Sequence, residues 1–332
     1  MQTIQALTAH IAGYYGLTDT DDIIRRWQEP HRFYHTAEHL KSLCQEFSNH
    51  DNEEERWILY CAALFHDIVY IPGAQDNEEQ SVEIVKQYIP DSHPHFDTVC
   101  DIIIDTKHHT PRTSLSAKFC DADMAIVTRS SLTELLEWDK NIFLEFQKYD
   151  YDTYRERRLD FLEKAKKRYP TNAKNLTALQ EIVRNNTPKI GVYAGSFNPF
   201  HNGHLNILHK AEKIFDKVII AQGINPEKLS QDNDNIHNVK AVAMRQCERF
   251  TGLLTDFVLS KSQHANITII RGLRNGDDLA YEANQLRFME YLKPDIQIMF
   301  LLCDMEYEHI SSSSLRNLEK IQKGLSLPYI PF

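Results

Sequence analysis

The chain has 332 residues, 42% apolar and 25% charged, with a formal net charge of −10. That length suffices for two domains that each bury a core, and the composition is that of a globular protein. The negative charge argues against nonspecific binding to nucleic acid or an anionic membrane. Both need a positive footprint, so an anionic substrate has to be met by a local cluster.

The first half reads as helical. WILYCAALFHDIVY, residues 57–70, sets Ile58, Cys61, Ala62, Phe65 and Val69 at three- and four-residue intervals, and SLTELLEWDKNIFLEF, residues 131–146, repeats the pattern. Polar breaks at 48–55, 71–79 and 91–95 separate the helices. NNTP, residues 185–188, marks a boundary, giving an all-α domain over 1–187 and a second domain over 188–332. In the second domain the apolar runs KIGVYAG, KVIIAQG, NITIIRG and IQIMFLLC alternate with helical patterns. Buried strands that each feed a helix predict a parallel, Rossmann-like sheet with ligands at the carboxyl ends of the strands. The six cysteines are scattered, which suits free thiols in a reducing compartment. No apolar run approaches the roughly 20 residues that span a bilayer, and no signal peptide is read, so a cytoplasmic location is expected.

Residues 193–215, YAGSFNPFHNGHLNILHKAEKIF, read as a strand end, a turn and a helix with Leu205, Leu208, Ala211 and Ile214 at helical spacing. His201 and His204 therefore sit at or just before a helix N-terminus, where free N–H groups and the dipole favour an anion. Further donors fall at the same sheet edge: Ser196, Arg271, Arg274, and the serines 311–314 followed by Arg316. Ser311 is placed to cap a helix. A histidine after a turn is more often structural than catalytic, a serine run is usually only a cap, and Arg271 and Arg274 can pair with Asp277, Asp278 or Glu282. Their recurrence at one edge favours a nucleotide triphosphate site, with attack on the α-phosphate and loss of pyrophosphate.

From residue 189 onward the chain resembles the nucleotidyltransferase superfamily marked by [ST]-x-x-H-x-G-H and I-S-S-[ST]. Within it IRGLRNGDDLAYE, residues 270–282, is most similar to phosphopantetheine adenylyltransferases. The resemblance implies adenylyl transfer from ATP to 4'-phosphopantetheine, with Mg²⁺ carried on the triphosphate. It implies that His204 stabilises the transition state, aided by Ser196, Lys228 and Arg274. ATP would be bound by Ser196, Phe197, His204, Gly272, Leu273, Arg274, Glu282, Tyr307, Ser311, Ser312 and Ser313. Ser196, Lys228, Leu254 and Arg271 would hold phosphopantetheine. Asn198 stands where the family has aspartate, and it motivates two alternatives: a nicotinamide mononucleotide acceptor, or an ATP- or coenzyme A-binding domain without turnover that regulates the first half.

In the helical half, His35, the adjacent His66 and Asp67, and Asp123 combine imidazole and carboxylate donors suited to a divalent ion that activates water. A His-Asp pair is common by chance, but burying this one after an apolar run needs a partner. Y-H-x-x-x-H (34–39), H-D-x-V-Y (66–70), D-N-E-x-x-S (76–81), T-K-H (106–108) and D-A-D (121–123) resemble the HD superfamily of metal-dependent phosphohydrolases. The resemblance implies a divalent metal (Mn, Mg, Fe, Co, Ni or Zn) on His35, His66, Asp67 and Asp123. Glu78 would act on water, and Lys107 and His108 would meet the phosphate of an ester or nucleotide. His39 is open between ligand, substrate contact and helix neighbour of His35. A homo-oligomer is compatible with both halves.

Overall fold

The computed structural model describes residues 3–224, 236–261 and 263–331. The chain divides into two units, Met1–Phe146 with Asp160–Glu181, and Gln147–Leu159 with Ile182–Phe332.

The first half is helical: α1 (Ile4–Tyr15), α2 (Asp21–Trp27), α3 (Ala37–Phe47), α4 (Glu53–Phe65), α5 (Asn77–Tyr88), α6 (Phe96–Thr106), α7 (Ser114–Asp123), α8 (Ala125–Arg129), α9 (Leu132–Glu145), α10 (Tyr151–Arg168) and α11 (Ala173–Asn185). The polar breaks supply the caps. Thr36 opens α3, Asn52 opens α4 and Thr113 opens α7, while Ser131 and Glu134 form a reciprocal capping box on α9. The central element is α4, in which Leu59, Cys61, Ala62, Ala63, Leu64 and Phe65 are each 0% exposed. From Cys61 onward that helix is buried on all faces, which explains its uninterrupted apolar run there, and each large side chain contributes about 1.5–3 kcal/mol. It stops at His66 and Asp67, so the core delivers that polar pair to a fixed place.

The second unit is built on five parallel strands in the order β3-β2-β1-β4-β5. They are β1 (Lys189–Gly195), β2 (Lys217–Gly223), β3 (Cys247–Phe250), β4 (Asn266–Leu273) and β5 (Gln297–Leu302). Among the described residues, the helices that follow β1 in the chain are α12 (Asn202–Ala211), α13 (Leu254–Leu259), α14 (Gly276–Leu292) and α15 (Ser312–Ile321). Tyr193 of β1 lies opposite both Ile220 of β2 and Ile270 of β4. The chain moves outward from β1 through β2 to β3, then returns to the other side of β1 for β4 and β5. This topological switch opens a crevice at the carboxyl ends of β1 and β4.

Four strands coincide with the predicted apolar runs. The fifth, β3, has the sequence CERF and lies on the edge against β2. Its partial exposure lets it carry two adjacent charged residues, Glu248 and Arg249, so it offers no apolar run to read. Lys217, which opens β2, is 2% exposed rather than at a solvated strand end.

Candidate functional site

The crevice of the second unit is made by the chain leaving β1. Phe197 takes a left-handed backbone, φ +48, and the Asn198–Pro199 bond is cis. The loop then enters α12 through His201, whose ring accepts a hydrogen bond from the His204 backbone N–H at 3.4 Å. The His204 ring accepts one from His201 N–H at 3.3 Å. The two rings stack, with centroids 3.6 Å apart. Both bonds use Nδ1 as acceptor, so each neutral ring carries its hydrogen on Nε2. Burial, reinforced by Arg274, lowers the His201 pKa to about 4. Burial, His201 and Arg274 hold His204 well below the ordinary histidine range. His204 is thus a neutral N–H donor.

Two glycines allow this packing. A Cβ on Gly203 would lie 3.1 Å from the His201 ring, and one on Gly272 would lie 3.1 Å from Ile207 and 3.2 Å from the Tyr193 hydroxyl.

The cleft encloses about 350 Å³, and Ser196, Phe197, His204, Gly272, Leu273, Arg274, Glu282, Tyr307, Ser311 and Ser312 all line it. Ser311 is the N-cap of α15 and accepts from Ser314 N–H, while Ser313 contacts the Ser311 hydroxyl at 3.2 Å. Ser312 donates to Pro199 O, and Arg316 donates to Asn198 O, tying α15 to the β1 loop. Two helix N-termini and two arginines therefore converge, an arrangement suited to a polyphosphate. Arg271 makes a two-point pair with Glu282 at 2.7 and 2.5 Å and donates to Ala194 O. Arg274 pairs with Asp278 at 2.9 and 2.7 Å. A second cavity of about 560 Å³, walled by Leu254, Phe250, Phe288 and Met289, shares Ser196 and Arg271 with the first. Lys228 lies outside the described residues.

In the first unit, His39 of α3 meets His66 and Asp67 at the end of α4 and Asp123 at the end of α7. His39 Nε2 lies 3.1 Å from Asp123 Oδ1 and 4.0 Å from Asp67 Oδ2. His66 Nε2 lies 3.0 Å from Asp67 Oδ2 and 3.8 Å from Asp123 Oδ1. His66 Nδ1 donates to Ala63 O, leaving Nε2 as the free edge. Both Nε2 atoms are buried without a hydrogen-bond partner. Single ligand atoms of His39, His66 and Asp67 all lie within 4.8 Å of one another.

Two buried imidazole nitrogens facing two carboxylates make a donor set that fits a borderline or hard divalent ion. Burial opposes a charged His66, yet Asp67 and Asp123 push its pKa up to about 9, and His66 in turn helps hold Asp67 below the usual carboxylate range against burial.

His35 stands beside this cluster. It precedes the Thr36 cap, donates Nδ1–H to Glu145 Oε2 at 2.7 Å and stacks on Tyr70 with centroids 4.0 Å apart. The structure therefore brings His66, Asp67 and Asp123 together with His39, and turns His35 toward a carboxylate. Glu145, buried at the end of α9, also accepts the backbone N–H groups of Phe33, Tyr34 and His35 and the Tyr70 hydroxyl.

Other predicted words have bracing roles. Asn77 bonds both N–H and C=O of Ile71, the Ser81 hydroxyl accepts Val69 N–H, and buried Arg32 donates to the carbonyls of His35, Asp67 and Ile68. Glu78 is partly buried, and burial together with Asp67 raises its pKa. Lys107 pairs with Glu79 at 2.5 Å, and His108 is exposed.

A switch-point crevice with a histidine donor at a helix N-terminus is consistent with a nucleotidyltransferase-like domain. The cytidylyltransferase-like family model matches residues 192–318, and the HD domain model matches residues 32–131. A phosphopantetheine adenylyltransferase from Clostridium botulinum strain Hall is 36% identical over 136 residues, covering 39% of this chain and 81% of the relative. One from strain Eklund 17B is 37% identical over 138 residues, covering 40% of this chain and 85% of that protein. Through its second half the chain belongs to the phosphopantetheine adenylyltransferase family, and its first half carries an HD domain.

Proposed function

We propose that the chain is a bifunctional enzyme, a phosphohydrolase over residues 1–187 and a phosphopantetheine adenylyltransferase over 188–332. The observation that carries the transferase reading is the reciprocally capped His201–His204 stack, which lines one of two cavities that share Ser196 and Arg271. ATP occupies the smaller cavity and 4'-phosphopantetheine the larger, so the acceptor phosphate attacks the α-phosphorus near Ser196. The bond to the bridging oxygen breaks and pyrophosphate leaves.

His204 donates Nε2–H to the oxygens where charge builds up, Arg274 and the N-termini of α12 and α15 receive the triphosphate, and Lys228 and Arg271 hold the acceptor. Mg²⁺ arrives with ATP and neutralises part of its charge. In the first half, His39, His66, Asp67 and Asp123 hold a divalent ion, which when bound lowers the pKa of water. Glu78 would serve as a proton acceptor there, and the substrate is a phosphate ester or nucleotide. The protein acts in the cytoplasm on small molecules, without nucleic acid or membrane, and self-association is compatible with both sites.

A second reading, ATP or coenzyme A binding without turnover, draws support from the engagement of Arg271 and Arg274 by Glu282 and Asp278. Pyrophosphate release with Mg²⁺-ATP and either 4'-phosphopantetheine or nicotinamide mononucleotide separates the possibilities. We expect turnover with the first acceptor and a loss of about 10²-fold or more in kcat for His204→Ala. Turnover with neither acceptor would leave the regulatory reading, and turnover with the nucleotide alone would reassign the acceptor.

A further inference from the structure

The turn after α6 contains a histidine that the metal cluster does not account for. His109 has a left-handed backbone, φ +49, which is uncommon for a residue with a side chain. Its Nε2 donates to Asp123 Oδ2 at 3.0 Å, while Asp123 Oδ1 faces His39 and His66. The two oxygens of one carboxylate are thus divided, one toward the cluster and one held from outside.

The turn is braced around this bond. His109 N–H reaches Thr106 O at 3.2 Å, and Thr110 N–H reaches Asp105 O at 3.2 Å. Asp105 is itself held by Arg112 and the Ser116 hydroxyl. From α10, Arg168 donates to His108 O at 2.9 Å and also to His109 O. A strained conformation clamped from two sides, whose product is one side-chain bond to a cluster carboxylate, calls for a role beyond closing a turn.

We propose that His109 is a positioning residue of the hydrolase site. It restrains Asp123 to ligation through Oδ1 alone, with Arg168 holding the turn that presents it. This rests on the metal-site reading above. Ligation by a single carboxylate oxygen leaves a coordination position for water or substrate, and a partner of this kind typically tunes metal affinity.

The test uses the full chain and Co²⁺ alone, read by titration and by the visible absorption of the bound ion, which reports coordination number. His109→Gly removes the imidazole but suits the left-handed backbone, so a merely structural role predicts unchanged or higher thermal stability and unchanged Co²⁺ binding. We expect instead 10- to 100-fold weaker Co²⁺ binding and a changed spectrum. His109→Gln, which keeps an N–H donor, should restore most of the affinity, and Arg168→Ala should fall between. Wild-type affinity and spectrum in His109→Gly would overturn the proposal, as would a loss that His109→Gln does not recover at all. If wild type binds no more Co²⁺ than Asp67→Ala, the metal-site reading falls and takes the proposal with it.

Discussion

His35 and His39 stand four residues apart, and which of them faces Asp67 and Asp123 is set by the Thr36 cap between them. His39 lies in the first turn of α3, on the side that carries buried Leu40 and Leu43, whereas His35 is off the helix and tied to Glu145. In purified protein, metal content should therefore drop below about a tenth of the wild-type level in His39→Ala and Asp67→Ala and persist in His35→Ala. Elemental analysis of the three variants checks this, and loss in His35→Ala with retention in His39→Ala would reverse the assignment. Spacing in the motif could not separate the two, because both fit Y-H-x-x-x-H and only the helix start distinguishes them. Glu145 did leave a trace. It continues the buried stripe Leu135, Trp138, Ile142 on α9, and a carboxylate on such a stripe needs strong partners. His109 left none, since a left-handed backbone at a non-glycine residue is not written in residue type.

At the scale of elements, the helices and the four apolar strands were legible because burial imposes period on sequence. β3 was not, since an exposed edge relaxes the requirement. Lys217 shows the opposite case, a charged residue inside a strand. Its ammonium donates to Gln147 O at 2.5 Å, and burial pushes its pKa down to about 7 despite Asp150 and Glu248.

An unfolded lysine titrates near 10.4, so between about pH 7 and 10 the unfolded chain holds the proton that the native chain has released. Stability from this group therefore rises with pH across that window and is at its lowest below about 7. Urea unfolding at pH 7 and pH 9 should show a gain in wild type that Lys217→Met lacks; equal pH dependence in both would refute the burial argument.

For the whole molecule, the two candidate sites draw on separate sets of residues, and the family resemblance was legible in each because motif residues cluster at strand and helix ends. What resisted reading was long-range bracing. Glu145 and Arg168 both lie past residue 131, where the HD match ends, yet one ties down the Phe33–His35 turn and the other the His108–His109 turn.

The consequence concerns where the protein can be cut. A fragment covering 1–131 would keep His39, His66, Asp67 and Asp123 and still lose the carboxylate that satisfies three backbone N–H groups, each costing about 1–3 kcal/mol if left buried and unpaired. Such a fragment should bind Co²⁺ at least tenfold more weakly than one covering 1–187, as measured by titration. The excisable HD unit would then be larger than its recognisable motif, and its true end would be marked by an anchor for the opening turn.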